Sequence, residues 1–291
     1  MTPVQRDSTE RLGAHVSTQG GVPTAPGRGT AIGATAIQLF TKTPSQWKEP
    51  ALSDQTVRDF QTERAKSGVQ EVVSHDSYLI NLASPDPELS RRSTTSFEEE
   101  LKRCERLGIA YVVSHPGNYI DHREAGLIRN AAAYSRCLRT VPGAVSVLIE
   151  GTAGTGTALG STFEELAELR ERIDADVRDR VGFCADSCHL YSAGYDLLND
   201  YAGVWDRFDR IIGLQHLRCL HLNDSKTPFG SRRDRHELIA EGSLGPEPFR
   251  RIMRDLRFRS IPKILETPKG DEDETSNDRK MLRRLRAYAR S

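Results

Sequence analysis

Six short apolar runs in this chain each close on a residue able to bind a metal ion. VVSH ends on His75, YVVSH on His115, SVLIE on Glu150, GFCAD on Asp186, RCLH on His221 and PKILE on Glu266. Histidine nitrogens together with carboxylate oxygens suit zinc or a similar divalent cation, manganese included. Two short motifs add three more candidates: Asp186-Ser-Cys-His189 sets a ligand one turn beyond a strand end, and Asp234-Arg-His236 sets two on a long loop. Either motif standing alone is ordinary for a solvated loop. Beside six strand-end ligands they bring the candidates to nine, enough for more than one metal ion. Two or three zinc ions with a bridging hydroxide suit phosphoryl transfer at neutral pH. Glu150 sits in the middle of the series and is placed to bridge two of them.

Six strand ends can meet in one small volume if the strands run parallel around a barrel, whose C-terminal face collects catalytic residues. The chain has that pattern. Strand-like runs fall at LGAHV (12–16), AIQLF (36–40), EVVSH (71–75), AYVVSH (110–115), VSVLIE (145–150), VGFCAD (181–186), RCLHL (218–222) and PKILE (262–266). Nearly continuous apolar character is expected of parallel strands covered on both faces. Helical stretches lie between them. SFEEELKRCERLG has apolar spacings of three and four and stops at Gly108. STFEELAELRERI opens on a capping-box pattern from Ser161 to Glu164, and DRKMLRRLRAYAR makes the last helix. GGVPTAPGRGTAIGAT reads as loop in its N-terminal part, where prolines and glycines precede any helical period. The expectation is an α/β fold, a single-domain (β/α)8 TIM barrel over residues 11–291, preceded by a loose tail, residues 1–10.

Bulk properties narrow the function. No apolar run approaches the roughly 18 residues of a membrane span, and the N-terminus lacks a hydrophobic signal region, so no membrane partner is expected. Five scattered cysteines without a CxxC pair point to reduced thiols in a cytoplasmic protein. Cys184 and Cys188, on either side of Asp186, read as buried packing. A formal net charge of zero argues against nucleic-acid binding only for the metal-free chain. Three divalent ions and one hydroxide would add about +5 to one face.

Other residues carry weaker signals. His15 ends the first strand and reads as a supporting residue, while His122 and His216 read as surface or capping residues. GTAGTGTALG lacks the Lys-Ser/Thr ending of a nucleotide loop, and no GxSxG occurs. Arg232, Arg233 and Arg235 share a loop with candidate ligands and could meet phosphates. Trp47 and Tyr78 follow the second and third strands. An aromatic ring beside the Leu79 side chain, just outside a metal site, could wedge into a base stack; packing of the loop itself explains them equally well.

Taken together, GAHVS, QLFTKTPSQW, HDSYLINLASP, HPG, IEGTAGTG, ADSCH, HLNDSK, FGSRRDRH, AEGSLG and ILET resemble bacterial endonuclease IV from about residue 12 to 290. The resemblance implies a trinuclear-zinc TIM barrel that cuts DNA on the 5′ side of an abasic site and clears blocked 3′ ends. Its products would be a 3′-hydroxyl and a 5′-deoxyribose phosphate. Three zinc ions per chain are implied: one on His75, His115 and Glu150; one on Glu150, Asp186, His221 and Glu266; one on His189, Asp234 and His236. Glu150 and Glu266 become the catalytic carboxylates. Tyr78 and Leu79 match the wedge loop, and Gln46, Trp47 and Arg235 are further expected DNA contacts. The partner would be double-stranded DNA, bound by a monomer. Three positions depart from the family pattern: Ser45 replaces a common arginine, Gly151 an asparagine and Ala240 a glycine. A sugar isomerase or epimerase on a related barrel is the rival enzyme, and a non-catalytic DNA-damage binder the rival of another class.

Overall fold

The computed structural model of the chain describes residues 10–270 and 273–290. Eight of the apolar runs pair in parallel and close into a barrel. They are β1 (Leu12–His15), β2 (Ala36–Leu39), β3 (Glu71–His75), β4 (Tyr111–Ser114), β5 (Ser146–Glu150), β6 (Val181–Asp186), β7 (Leu217–His221) and β10 (Lys263–Leu265). The last of these closes the ring between β7 and β1. Two short strands, β8 (Asp224–Ser225) and β9 (His236–Glu237), form an antiparallel pair within the long connection after β7. That connection reads as plain loop in the sequence, because two-residue strands leave no periodic trace.

The helices are α1 (Ala25–Ile32), α2 (Asp54–Lys66), α3 (Pro87–Leu107), α4 (Arg123–Thr140), α5 (Phe163–Arg172), α6 (Ser187–Ala193), α7 (Tyr201–Ile211), α8 (Glu247–Arg254) and α9 (Ser276–Arg290). Gly108, at φ 69, ends α3 as expected. The helix starts nine residues earlier than SFEEEL indicates, capped by Asp86, whose side chain accepts from the Leu89 amide at 2.6 Å. The expected capping box on α5 falls one residue early. Thr162 is the cap, and the Glu165 carboxylate accepts from the Gly160 and Ser161 amides. Before α1, Val22–Thr24 form a single tight turn, so only the segment up to Gly21 is loop. Pro23 and Pro26 fall in first turns, where a missing amide costs nothing. The expected tail lies outside the described residues except for Glu10, whose carboxylate pairs with Arg286 at 2.6 Å.

Two packing layers support the barrel. Val73, Val113, Leu148, Cys184, Cys219 and Ile264 fill its inside, and a larger layer lies between strands and helices. Each fully buried Leu, Ile or Phe contributes about 1.5–3 kcal/mol relative to exposure. All five cysteines are free and buried, as expected for Cys184 and Cys188. Among the described residues no helix is long and apolar enough to cross a membrane. Register sets the height of the strand ends: Asp186 of β6 lies beside His221 of β7, which in turn lies beside Ile264 of β10. His115 and Glu266 each stand one residue past their strands.

Candidate metal centre

The nine candidate residues meet at the C-terminal mouth of the barrel in three sets, two of which share one carboxylate. His75, His115 and Glu150 form the first; Glu150, Asp186, His221 and Glu266 the second; His189, Asp234 and His236 the third. In each, the possible ligand atoms lie within 4.8 Å of one another. Glu150 joins the first two sets. Its Oε2 lies 3.3 Å from His75 Nε2 and 3.4 Å from His115 Nε2, while Oε1 lies 2.8 Å from His221 Nδ1. Asp234 faces both histidines of the third set, at 3.2 Å from His189 Nε2 and 3.1 Å from His236 Nε2. Cysteine sulfurs also come close, Cys184 and Cys219 beside His221 and Cys188 beside His236.

Four of the imidazoles are turned by a bond at the nitrogen facing away from the centre. His75 Nδ1 donates to the Asp76 carbonyl at 2.9 Å, His189 Nδ1 to the Gly151 carbonyl at 2.9 Å and His236 Nδ1 to the Glu266 carbonyl at 3.2 Å. That leaves Nε2 of all three for the centre. His221 is the reverse: Nε2 donates to Gln38 Oε1 at 2.8 Å, leaving Nδ1 inward. Bonds of this kind fix tautomer and ring direction at metal sites. Gln38 also donates from Nε2 to Glu266 Oε1 at 2.6 Å and lies 3.1 Å from His15 Nδ1. His15 therefore supports the centre through Gln38. Asp186 caps α6 by accepting from the Cys188 and His189 amides through Oδ1, while Asn223 donates to its Oδ2 at 2.6 Å. The same Asn223 accepts from the Glu266 amide at 2.8 Å. Gln38 and Asn223 are absent from the sequence-derived site. Their signal was a buried amide, on β2 in QLF and two residues past β7 in HLNDSK, a residue type with no chemistry of its own.

The electrostatics and the unpaired atoms fit a set of divalent cations. Burial opposes charge on Glu150, Glu266, Asp234 and the five imidazoles, yet for all of these but His115 the mutual pull of acids and imidazoles overrides it. Glu150 is held well below the usual carboxylate range, chiefly by His221 and His115, and Glu266 is lowered by His221. His75 rises to about 9 through Glu150, and His236 to about 9 through Asp186 and Asp234. His115 goes the other way, because burial outweighs Glu150 there. Burial drives His15 down to about 3, so it is neutral. His189 Nε2 and His236 Nε2 are buried with no hydrogen-bond partner among the described residues, although Asp234 is near both. Buried nitrogens in that state normally have an explanation such as an ion. A divalent cation between them and Asp234 would supply it.

The residues expected to touch DNA surround this floor. Tyr78 is 73 % exposed, its ring edge-on to Phe40 at 5.1 Å. Leu79 and Trp47 are half-buried, and Gln46 and Ser45 are exposed. Ser77 Oγ donates to the Pro44 carbonyl at 2.5 Å and so joins the loop after β2 to the loop after β3. Arg233 and Arg235 line a cavity of about 610 Å³ floored by His115, His189 and Asp234, with Thr152 and Thr155 also on its wall. Arg232 is not among its lining residues; its carbonyl accepts from Thr155 Oγ1 at 2.8 Å. His122 precedes α4 without capping it through its side chain, and His216 lies in the turn before β7.

A family profile described as xylose isomerase-like TIM barrel matches residues 29–287. A probable endonuclease 4 of Geobacter sulfurreducens is 46 % identical over 267 residues, covering 90 % of each chain. A probable endonuclease 4 of Chloroflexus aggregans is 44 % identical over 284 residues, covering 96 % of this chain and 98 % of that one. The crystal structure of endonuclease IV from Thermus thermophilus superposes with a TM-score of 0.85 at 38 % identity, covering 97 % of this chain and 99 % of the other.

Proposed function

Since the chain belongs to the endonuclease IV family, we propose that it hydrolyses the DNA phosphodiester 5′ to an abasic site and also removes blocking groups from 3′ ends. The observation that carries this reading is the three-part cluster built around Glu150, with two buried histidine nitrogens unpaired beside Asp234. His75, His115 and Glu150 would hold one zinc, Glu150, Asp186, His221 and Glu266 a second, and His189, Asp234 and His236 a third. Bound zinc supplies a hydroxide at neutral pH and neutralises charge on the phosphate.

The chain's own groups do the rest. Glu150 and Glu266 place carboxylate oxygens near His221 Nδ1, at 2.8 and 3.1 Å, where they orient the attacking hydroxide. Attack at phosphorus breaks the bond to the 3′-oxygen, which leaves as the alkoxide and takes a proton from water to become the 3′-hydroxyl; the phosphate stays on the 5′ side of the deoxyribose at the other strand end. Gln38 holds Glu266 at 2.6 Å against rotation. Arg235 and Arg233 present cations to the backbone phosphates, and Tyr78 and Leu79 fill the stack vacated by the flipped sugar, with Gln46 and Trp47 beside them. Five buried free cysteines support a reducing, cytoplasmic setting, and the family supports a monomer. A sugar isomerase on this barrel would have no use for the third set, Asp234, His189 and His236.

The test is cleavage of a duplex carrying one tetrahydrofuran abasic analogue, with metal content measured on the same preparation. A lyase cannot cut that analogue. A single 5′-side nick with about three metals per chain is expected. Full loading without a nick would sink the reading.

A further inference from the structure

We infer that Ile120, on the loop after β4, is a further apolar contact with duplex DNA, held in place by Arg129; this rests on the abasic-duplex reading above. Ile120 is 61 % exposed and its backbone has φ 62. A β-branched residue in the left-handed region is a true outlier. The turn is a three-residue one: the Asp121 amide donates to the Tyr119 carbonyl at 2.6 Å. With positive φ at its centre this is the rare, strained kind.

Such strain persists only where the surroundings over-determine it. Here they do. The Arg129 guanidinium takes Asp121 with 2.6 and 3.0 Å bonds to its two carboxylate oxygens, donates to the Tyr119 carbonyl at 3.2 Å and to the Ala83 carbonyl at 2.8 Å. A side chain that is mostly in water gains nothing for the isolated fold from being held out this way.

Its position says what it would meet. Asn118, two residues before it, lines the cavity floored by His115, His189 and Asp234. Asn81 ties this loop to the one carrying Tyr78, accepting from the Asn118 amide at 2.9 Å and donating to its carbonyl at 3.0 Å. Two exposed apolar side chains, Tyr78 and Ile120, therefore stand on one cross-linked rim after neighbouring strands. A duplex laid across the centre to reach Tyr78 presents sugar and base edges to that rim, and an apolar side chain contacts those without regard to charge.

Ile120→Gly and Ile120→Asn in the full, metal-loaded chain test this on the tetrahydrofuran duplex. We expect KM to rise about tenfold, the effect of losing partial burial of an isoleucine side chain. kcat should stay within about twofold, and the slope of log KM against log salt should not change, since no phosphate contact is lost. The glycine variant should melt no lower than wild type, because it accepts the positive φ. KM within about twofold of wild type in both variants would overturn the inference. So would a fall in kcat together with a lower melting point, which would make Ile120 a structural residue. A wild type that fails to nick sinks the parent reading instead, so the two failures are told apart.

Discussion

The floor of the site and its rim are built on opposite principles. On the floor, Glu150, Asp186 and His221 are fully buried at strand ends whose heights are set by sheet register, and each imidazole but His115 is turned by a named acceptor. On the rim, Tyr78, Ile120 and Arg232 are exposed, and Ile120, Arg232 and Ala240 have positive φ without being glycine. A floor fixed by register tolerates little chemical change. A rim fixed by loop conformation can change its side chains while the floor stays intact. Of the three departures expected from the resemblance, Ser45 is exposed in a loop and Ala240 sits in a turn, while Gly151 is buried and its carbonyl accepts from His189 on the floor. Loss of a floor residue should therefore abolish the chemical step, and loss of a rim residue should change binding or stability by small factors.

The largest effect belongs to Glu266→Gln. The amide keeps the shape, so the chain should fold and bind abasic duplex, while kcat falls by about a thousandfold or more. Wild-type turnover in that variant would remove Glu266 from the mechanism and blur the distinction between floor and rim. One step outward stands Gln38→Leu. It releases both His221 Nε2 and Glu266 Oε1, bonded now at 2.8 and 2.6 Å. Losing the partner that orients a metal ligand costs about 10- to 100-fold in metal affinity or activity. Zinc titration and steady-state kinetics on the same variant would show it, and unchanged values in both would assign Gln38 to packing alone.

A pH comparison separates the two regions without a mutation. In the metal-free centre His75 and His236 are held at about 9 against an ordinary 6.5. Their raised values contribute stability that is complete below 6.5 and lost as pH rises through 9. The lowered Glu266 contributes stability that is present above 4.5 and lost as pH falls below it. Metal binding needs neutral imidazoles, so it must displace the histidine protons. The gap in melting temperature between zinc-loaded and metal-free protein should widen from pH 6.5 to 9, with proton release on loading near neutral pH. A gap that is flat over that window would mean the histidines are not the groups being displaced.

How far each region was legible in the sequence follows the same division. Parallel strands buried on both faces are continuous apolar runs, so their ends, and the ligands on them, could be read directly from VVSH, SVLIE or GFCAD. The α/β barrel followed from their number and spacing. Helix starts were harder: RRSTTS in α3 is helical because Ser93, Thr94 and Ser96 turn small side chains inward, and small polar residues leave no apolar period. Thr162 rather than Ser161 caps α5, a one-residue choice that only the path of the chain decides. Gln38 and Asn223 could not be singled out, because an amide becomes a positioning group only when its partners are known. Backbone angles at Ile120 and Ala240 had no sequence signal except, at Ala240, the glycine that the family pattern would place there.

That position gives the smallest expected effect and the finest probe of the rim. Leu238 to Glu241 form a tight turn closed by the Glu241 amide donating to the Leu238 carbonyl at 2.9 Å. Ala240 is its third residue, at φ 63, where such a turn calls for glycine. Helix α9 clamps the turn from outside, with Lys280 and Arg284 on the Glu241 carboxylate at 2.9 and 3.1 Å, so the strain cannot relax by opening it. Ala240→Gly relieves about 1 kcal/mol of left-handed strain. Part of that returns as the greater freedom of glycine in the unfolded chain, about 0.4–1 kcal/mol. The net should be a rise of at most about 1 °C in melting temperature with kcat on abasic duplex unchanged. A fall in melting temperature would show that the methyl group's packing against the core outweighs its backbone strain, and that this part of the rim is held by burial, as the floor is.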